Sequence, residues 1–353
     1  MTWHPHRGRW LTIMFAALVA ALPAVPASAA DPSADADAQA LAAIADAAAA
    51  ARPGEANAVG VSMSLLGLLG ETLGALDDGP WVTSANPNGL PVNLTPPLTI
   101  ANTTKARAYA DGCHVRIKPR KATGCDYGDL DSDFTVLLMG DSHGAMWLPA
   151  FEEIAARRGW KIHLLTKSSC PPADISIMRE GEVYDNCDAW RSSAFKVIKK
   201  LKPDLAILTS TADYKLAGIK QAYSKKYLKA WRTAWEDTIR TIGKSADQVV
   251  VLNDVPKWTQ DSVECLTEHA DDVRVCATAR DTAVRPDMTK TLRTAAENAG
   301  ATFVDPSVLV CPDDPCPVVD GRYLVTYDTS HLSPVYARLL SPQLEALLPI
   351  DGE

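Results

Sequence analysis

Apolar and polar positions along the chain predict alternating strands and helices from about residue 134 onward. Compact apolar runs that end at turn residues predict buried strands, at residues 134–139, 161–166, 205–209, 248–253 and 302–305. Apolar residues at helical spacing predict the helices between them, at residues 145–158, 188–201, 225–242, 286–300 and 334–347. This order predicts a parallel sheet with helices on both faces, and such sheets bind ligands at the carboxyl ends of their strands.

The N-terminal segment has the features of an export signal. Arg7 and Arg9 precede an apolar stretch over residues 10–25, and Ala27-Ser28-Ala29 follows as a small-residue cleavage site. We therefore predict a signal peptide over residues 1–30 and an exported protein, either secreted or associated with the cell surface. A membrane anchor is the alternative, but the apolar stretch falls short of the roughly 20 residues that span a bilayer.

Two further parts follow the predicted signal peptide. Residues 31–95 are rich in Ala and Pro and predict a linker, within which residues 59–76 have the spacing of an amphipathic helix. Residues 96–353 contain the predicted strands and helices and are interpreted as one domain.

The charge of the chain bears on its partners. The 353 residues carry a formal net charge of −8, and the predicted signal peptide contributes basic residues but no acidic ones. An acidic protein of this kind is not expected to bind nucleic acid or anionic lipid. The sequence contains no pattern that indicates a metal or an organic cofactor, and we expect neither.

The chain has eight cysteines, and their number is even. In an exported protein this predicts disulfides. A zinc site is the alternative, but no Cys-x-x-Cys pair occurs and the histidines are scattered. Eight cysteines allow about 105 connectivities, and pairing of nearest neighbours would close four short loops; the cysteines are Cys113, Cys125, Cys170, Cys187, Cys265, Cys276, Cys311 and Cys316.

Two segments far apart in the chain carry the residue types of a serine enzyme. Gly140-Asp141-Ser142-His143-Gly144 follows the first predicted strand, and Asp328-Thr329-Ser330-His331 lies near the C-terminus. Nucleophilic acyl transfer needs a serine hydroxyl, a base that accepts its proton and a carboxylate that orients the base. If the fold brings the segments together, Ser142, His331 and Asp328 supply these three groups.

Two other readings of the first segment are weaker. Gly-x-Ser-x-Gly also occurs at the nucleophile of α/β-hydrolases, but only one strand is predicted before Ser142, and Asp328 lies only three residues from His331. Gly-Asp-x-His-Gly resembles the first metal motif of calcineurin-like phosphoesterases. The remaining histidines are too few for a two-metal site, since after His143 only His163, His269 and His331 follow.

Both segments together resemble SGNH/GDSL hydrolases, in which serine follows the first strand and Asp-x-x-His comes near the end. The surrounding segments are similar to the SGNH domain fused C-terminally to membrane acyltransferase family 3 proteins, which O-acylate bacterial surface glycans; they are residues 125–129, 136–160, 167–172, 202–204 and 328–333. The similarity covers roughly residues 96–348. It implies a flavodoxin-like three-layer α/β/α fold with Ser142 as nucleophile, His331 as base and Asp328 as orienting acid, here without the membrane domain.

The groups that would stabilise an oxyanion depart from the wider SGNH pattern. That superfamily supplies a glycine after the second strand and an asparagine after the third. This chain has Thr166-Lys167-Ser168-Ser169-Cys170 and Thr209-Ser210-Thr211-Ala212-Asp213 at those positions. The candidates that remain are the backbone amides of Ser142, Ser168 and Ser169 and the hydroxyls of Ser210 and Thr211.

The resemblance implies an exported serine O-acyltransferase or carbohydrate O-acetylesterase that acts on cell-envelope saccharides through an acyl-serine intermediate. Its partners would be an acylated saccharide or another acyl donor, and a membrane acyltransferase. Whether the acyl group passes to water or to a sugar is left open by the residues, because this depends on how the acceptor is placed. A non-catalytic glycan-binding or scaffold domain of the cell surface is the alternative, favoured by the unusual oxyanion residues.

Overall fold

The computed structural model of the chain describes residues 86–350. The predicted signal peptide and residues 31–85 of the predicted linker lie outside this range. The strands are β1 His114–Val115, β2 Cys125–Gly128, β3 Thr135–Gly140, β4 Lys161–Lys167, β5 Ile177–Arg179, β6 Glu182–Val183, β7 Leu205–Thr209, β8 Lys215–Leu216, β9 Gln248–Leu252, β10 Thr302–Val304, β11 Val319–Asp320 and β12 Tyr323–Leu324.

The helices alternate with these strands along the chain. They are α1 Leu98–Ala101, α2 Ser142–Met146, α3 Leu148–Arg158, α4 Asp185–Leu201, α5 Lys225–Ile242, α6 Ser262–Glu268, α7 Arg280–Ala283, α8 Pro286–Asn298, α9 Ser307–Val310, α10 Pro334–Leu339 and α11 Ser341–Leu347. Two predicted helices, 145–158 and 334–347, are each divided into two. Pro149 and Pro342 lie in the first turn of the second helix of each pair. Proline lacks a backbone N–H, which costs nothing in a first turn, whereas in the interior of one continuous helix it would remove a hydrogen bond.

The main sheet has the order β4-β3-β7-β9-β10, and neighbouring strands in it are parallel. The first predicted strand therefore lies between the second and the third, which is the flavodoxin-like order. The strand order reverses beside β3, and ligands bind at such a switch point. The predicted α/β fold with a parallel sheet is confirmed.

Two short strands before β3 were not predicted. β1 runs parallel to the outer edge of β4, and β2 runs antiparallel to the same edge. They are two and four residues long, too short for an apolar alternation to distinguish them from loop. The prediction of a single strand before Ser142 is thus wrong for the sheet as a whole, although β3 is the first strand of its parallel core.

Helices cover both faces of the sheet. Alternate residues of β3 point to opposite faces, so Val136 and Leu138 belong to one hydrophobic core and Leu137 and Met139 to the other. The first core receives α3, α10 and α11, and the second receives α4, α5 and α8. The result is a three-layer α/β/α arrangement.

All eight cysteines lie in the described range and form disulfides. Each disulfide joins neighbours in sequence: Cys113–Cys125, Cys170–Cys187, Cys265–Cys276 and Cys311–Cys316. The first links the start of β1 to the start of β2. The second links the turn after β4 to α4. Within residues 86–350, no helix has the length and apolar character needed to cross a bilayer.

Candidate active site

Ser142 lies in the tight turn between β3 and α2. Gly140 ends the strand, and a Cβ at this position would lie 2.5 Å from the carbonyl oxygen of Thr209 and 2.9 Å from Cα of Gly144. Only glycine allows the chain to turn so close to β7. Asp141 then caps α2, accepting a 2.7 Å hydrogen bond from the amide of His143, and Ser142 becomes the first helical residue.

Asp141 also ties the serine turn to the loop after β7. Its second carboxylate oxygen accepts a 3.0 Å hydrogen bond from the amide of Thr211 and another from the hydroxyl of Tyr214. The side chain is fully buried, and burial raises its pKa. Asp141 therefore has a structural part in the site, since all its contacts hold the turn in place.

The two segments singled out in the sequence meet at the carboxyl end of the sheet. Ser142 Oγ is 2.9 Å from His331 Nε2, and His331 Nδ1 is 2.7 Å from Asp328 Oδ2. The ring of Tyr327 stacks on His331 at a centroid distance of 5.5 Å. A hydroxyl, an imidazole and a carboxylate thus form one hydrogen-bonded chain, with the geometry of a nucleophile, a base and an orienting acid.

Asp328 is held as a carboxylate. Its Oδ1 accepts the amides of Ser330 and His331, each at 2.8 Å, in addition to the His331 ring on Oδ2. Burial alone would raise the pKa of Asp328, but these hydrogen bonds and the charge of His331 outweigh it and lower the pKa to about 2. A charged acceptor at neutral pH fixes the proton of His331 on Nδ1 and leaves Nε2 facing Ser142.

A second acid–histidine pair lies beside the first. His143 Nδ1 is 2.6 Å from Asp254 Oδ1, and His143 Nε2 is 3.3 Å from Ser330 Oγ. The rings of His143 and His331 meet edge to face, with centroids 4.8 Å apart. Asp254 also accepts the amides of Ala212 and Val255, both at 2.9 Å. His143 is therefore buried between a fixed carboxylate and the loop that carries His331.

The protonation of His143 follows from this setting. Burial would lower its pKa, but the charge and hydrogen bond of Asp254 and the charges of Asp141 and Asp328 raise the pKa to about 9. At neutral pH the side chain is an imidazolium. It can then donate from both nitrogens, to Asp254 and to Ser330.

The predicted oxyanion groups differ in what they already bind. The amide of Ser168 donates to the carbonyl of Val115 at 2.8 Å. The hydroxyl of Ser210 donates to the carbonyl of Thr211 at 3.1 Å, and the hydroxyl of Thr211 accepts from the amide of Asp213 at 3.4 Å. The amide of Ser142 occupies the first position of α2, where no intrahelical acceptor exists. Ser169 has a positive φ of 53° and is exposed.

A third histidine lies on the other side of the site. His114 Nδ1 is 3.0 Å from Thr166 Oγ1, and His114 Nε2 is 2.9 Å from Ser168 Oγ. Burial, with the nearby charges of His331 and two lysines, lowers the pKa of His114 to about 4. Tyr109 packs against this ring at a centroid distance of 4.5 Å. His114 is therefore a neutral imidazole at neutral pH.

A cavity of about 340 Å³ adjoins the His143 pair. Asp254 and Thr329 line it. The cavity is therefore bordered by the loop that holds His143 and by the loop that carries His331. Lys257 and Arg285 also line it, and Lys257 pairs with Asp213. Within residues 86–350, no cluster of His, Cys, Asp and Glu could hold a metal ion.

The sequence pointed to Ser142, Asp328 and His331 but missed Asp254 and His114. Asp254 is the second residue after β9, and an acid at the carboxyl end of a parallel strand is a signal that could have found it. His114 belongs to a two-residue strand, and no pattern in the sequence places it beside β4.

The fold and the site define a flavodoxin-like α/β/α protein with a Ser–His–Asp chain at the end of its first core strand. Residues 112–346 match the family described as SGNH domain (fused to AT3 domains). Since this match covers more than half of the 353 residues, the chain belongs to that family. No protein of curated function matches the sequence.

Solved structures to which the chain is similar include the periplasmic domain of the lipopolysaccharide acetyltransferase of Salmonella ser. Paratyphi A, with a TM-score of 0.49 and 14% identity over 68% of this chain and 87% of that one. An acetyl-xylooligosaccharide esterase of Geobacillus stearothermophilus has a TM-score of 0.39 and 13% identity, over 63% of this chain and 97% of that one. A carbohydrate esterase family 2 enzyme of Corynascus thermopiles (Myceliophthora fergusii) has a TM-score of 0.37 and 16% identity, over 62% of this chain and 68% of that one.

Proposed function

We propose that the protein is an exported serine O-acyltransferase or O-acetylesterase of cell-envelope saccharides, with Ser142, His331 and Asp328 as its catalytic triad. The observation that carries the proposal is the hydrogen-bonded chain from Ser142 through His331 to Asp328. His331 accepts the proton of Ser142 while Oγ attacks an ester carbonyl, and it then returns this proton to the departing alcohol. An acyl-serine remains.

The acyl-serine reacts with whichever hydroxyl reaches it. Water gives hydrolysis, and a sugar hydroxyl gives transfer. The saccharide class rests on the family, whose SGNH domains are fused to AT3 domains. We propose that a membrane acyltransferase of this kind provides the acyl group, and that the cavity beside Asp254 and Thr329 receives part of the saccharide.

The four disulfides support export, because such bonds persist in oxidising compartments. The exported enzyme would work outside the cytoplasm, either secreted or at the cell surface.

A serine-directed fluorophosphonate and an acetyl ester test the proposal together. We expect the probe to label Ser142, and we expect Ser142→Ala to lose both the label and ester hydrolysis. Labelling of Ser142 with acyl transfer to an added oligosaccharide, and little hydrolysis, would identify a transferase. Absence of labelling with retained binding to an oligosaccharide would instead favour a glycan-binding domain. Equal turnover by Ser142→Ala would overturn the triad.

A further inference from the structure

The hydroxyl of Ser168 is held by a neutral histidine at the carboxyl end of β4. His114 lies between Thr166 and Ser168, with one ring nitrogen at hydrogen-bond distance from each hydroxyl. His114 is 5% exposed and Thr166 is fully buried. A neutral imidazole carries its proton on only one nitrogen, so one of the two hydroxyls must donate to the ring and the other must accept from it.

Thr166 determines which nitrogen has the proton. In the described part of the chain, the hydroxyl of Thr166 has no hydrogen-bond partner besides His114 Nδ1. A buried hydroxyl that donates to nothing has lost its hydrogen bond to water without replacement. Thr166 therefore donates to Nδ1, and the imidazole proton is on Nε2.

Ser168 consequently accepts from His114 and keeps its own hydrogen available. The only side chain at hydrogen-bond distance from Ser168 Oγ among residues 86–350 is His114 Nε2. Because Nε2 is the donor in that contact, the O–H of Ser168 is directed away from His114. The amide and carbonyl of Ser168 are both engaged, with Val115 and with the hydroxyl of Tyr184, which fixes the backbone from which the hydroxyl projects.

The sheet register places the end of β3, which leads into Ser142, beside the end of β4, which leads into Ser168. Gly140 of β3 pairs with Thr166 of β4, so Ser142 and Ser168 each lie two residues beyond a paired position. Neighbouring parallel strands are about 4.8 Å apart. The charge of His331 acts on His114, which also places the His114–Ser168 pair close to the triad.

We propose that the Ser168 hydroxyl donates a hydrogen bond to the oxyanion, with His114 as its positioning residue. This inference rests on the proposed function. As Ser142 Oγ forms a bond to the ester carbon and its proton passes to His331, the carbonyl π electrons move to oxygen. Ser168 donates to that oxygen without losing its proton. The carbonyl re-forms when the alcohol leaves with the proton from His331.

The kinetic test compares Ser168→Ala with a control hydroxyl of similar exposure. Loss of one oxyanion donor lowers kcat by about 10²–10³-fold in other serine enzymes, and we expect a loss of that order with little change in KM. Ser168→Thr, which keeps a hydroxyl, should recover most of the rate. Ser245→Ala, at the amino end of the sheet, should leave the rate unchanged. Circular dichroism and thermal unfolding check that each variant folds.

The failure of this inference is separable from failure of the triad. Loss of activity in Ser142→Ala together with an unchanged kcat in Ser168→Ala overturns the oxyanion role alone. An independent readout is the tautomer of His114, measured by ¹⁵N NMR in the wild-type protein. The Nε2–H form supports the inference, and the Nδ1–H form overturns it, whatever substrate the enzyme uses.

Discussion

The contact between His143 and Ser330 lies beside the contact between Ser142 and His331. Two consecutive residues of the serine turn therefore face two consecutive residues of the C-terminal loop, at 2.9 Å for Ser142–His331 and 3.3 Å for His143–Ser330. The first contact carries the proposed chemistry. The second fixes the loop that brings His331 to Ser142, and Asp254 in turn fixes His143.

Removal of either partner of this second contact should misplace His331. We expect Ser330→Ala to lower kcat by roughly tenfold with little change in KM, because small displacements of a reacting group are costly. His143→Gln should lower kcat to a similar extent. The decrease in kcat of the double variant should be smaller than the product of the two single decreases. Kinetics of acetyl-ester hydrolysis by the four proteins give the coupling free energy, which we expect to be about 0.5–1.4 kcal/mol; the upper value is the full tenfold effect of one variant. As a control, the double variant of His143→Gln and Ser245→Ala should show no coupling free energy, because these two residues are far apart.

The pKa of His143 predicts a loss of stability in mild alkali. Its folded value, about 9, lies above the roughly 6.5 of an unfolded histidine. The folded protein therefore retains a proton that the unfolded chain releases, and the stabilisation present below pH 6.5 is lost as the pH rises to about 9. Asp141, Asp254, Asp328 and His331 face this group. We expect the free energy of unfolding to fall by roughly 2 kcal/mol over this interval, as measured by urea denaturation.

His143→Gln provides the comparison for this pH effect. The variant keeps a side chain that can donate to Asp254 but has no proton to lose, so its stability should change little between pH 6.5 and 9. A fall in the variant as steep as in the wild type would show that another group titrates there.

The disulfides should differ in their effect on the site. Replacement of both cysteines of Cys170–Cys187, which are 17 residues apart, should cost about 3 kcal/mol of stability by loop entropy. Replacement of Cys311 and Cys316, five residues apart, should cost about 2 kcal/mol. Of these two disulfides, only Cys170–Cys187 closes the turn that begins at Ser168. We therefore expect only its loss to slow fluorophosphonate labelling of Ser142 under conditions in which both variants remain folded.

The sequence was sufficient for the parallel sheet because its core strands are short apolar runs between long amphipathic helices. Strand β7 and helix α5 have the predicted bounds, 205–209 and 225–242. The edge strand β1 and the small sheet of β5, β6 and β8 were not predicted. Each of these strands has two or three residues, and a period of two cannot be recognised over that length. Their pairing depends on tertiary contacts.

The triad motifs were visible because their chemistry is local. Asp328 and His331 lie within one turn, and Ser142 follows a strand whose end is predictable. The contacts made by His114 and Asp254 depend on which strands are neighbours in the sheet. A single sequence contains no information on that neighbourhood beyond the order of the elements, so these residues required the structure.

The cavity beside Asp254 and Thr329 gives a prediction about saccharide binding. Lys257 and Arg285 line this cavity, where they would contact a bound saccharide. A small synthetic acetyl ester, by contrast, needs to contact only the triad. Lys257→Met removes one charge from the cavity and leaves Asp213 partly exposed to solvent, so the fold should tolerate it. We expect KM for an acetylated oligosaccharide to rise by about tenfold, as for the loss of about 1.4 kcal/mol of binding, with no change for a small aryl acetate. Lys229→Met, on the exposed face of α5, is the matched control. If both lysine variants bind the oligosaccharide like the wild type, the saccharide does not reach Lys257.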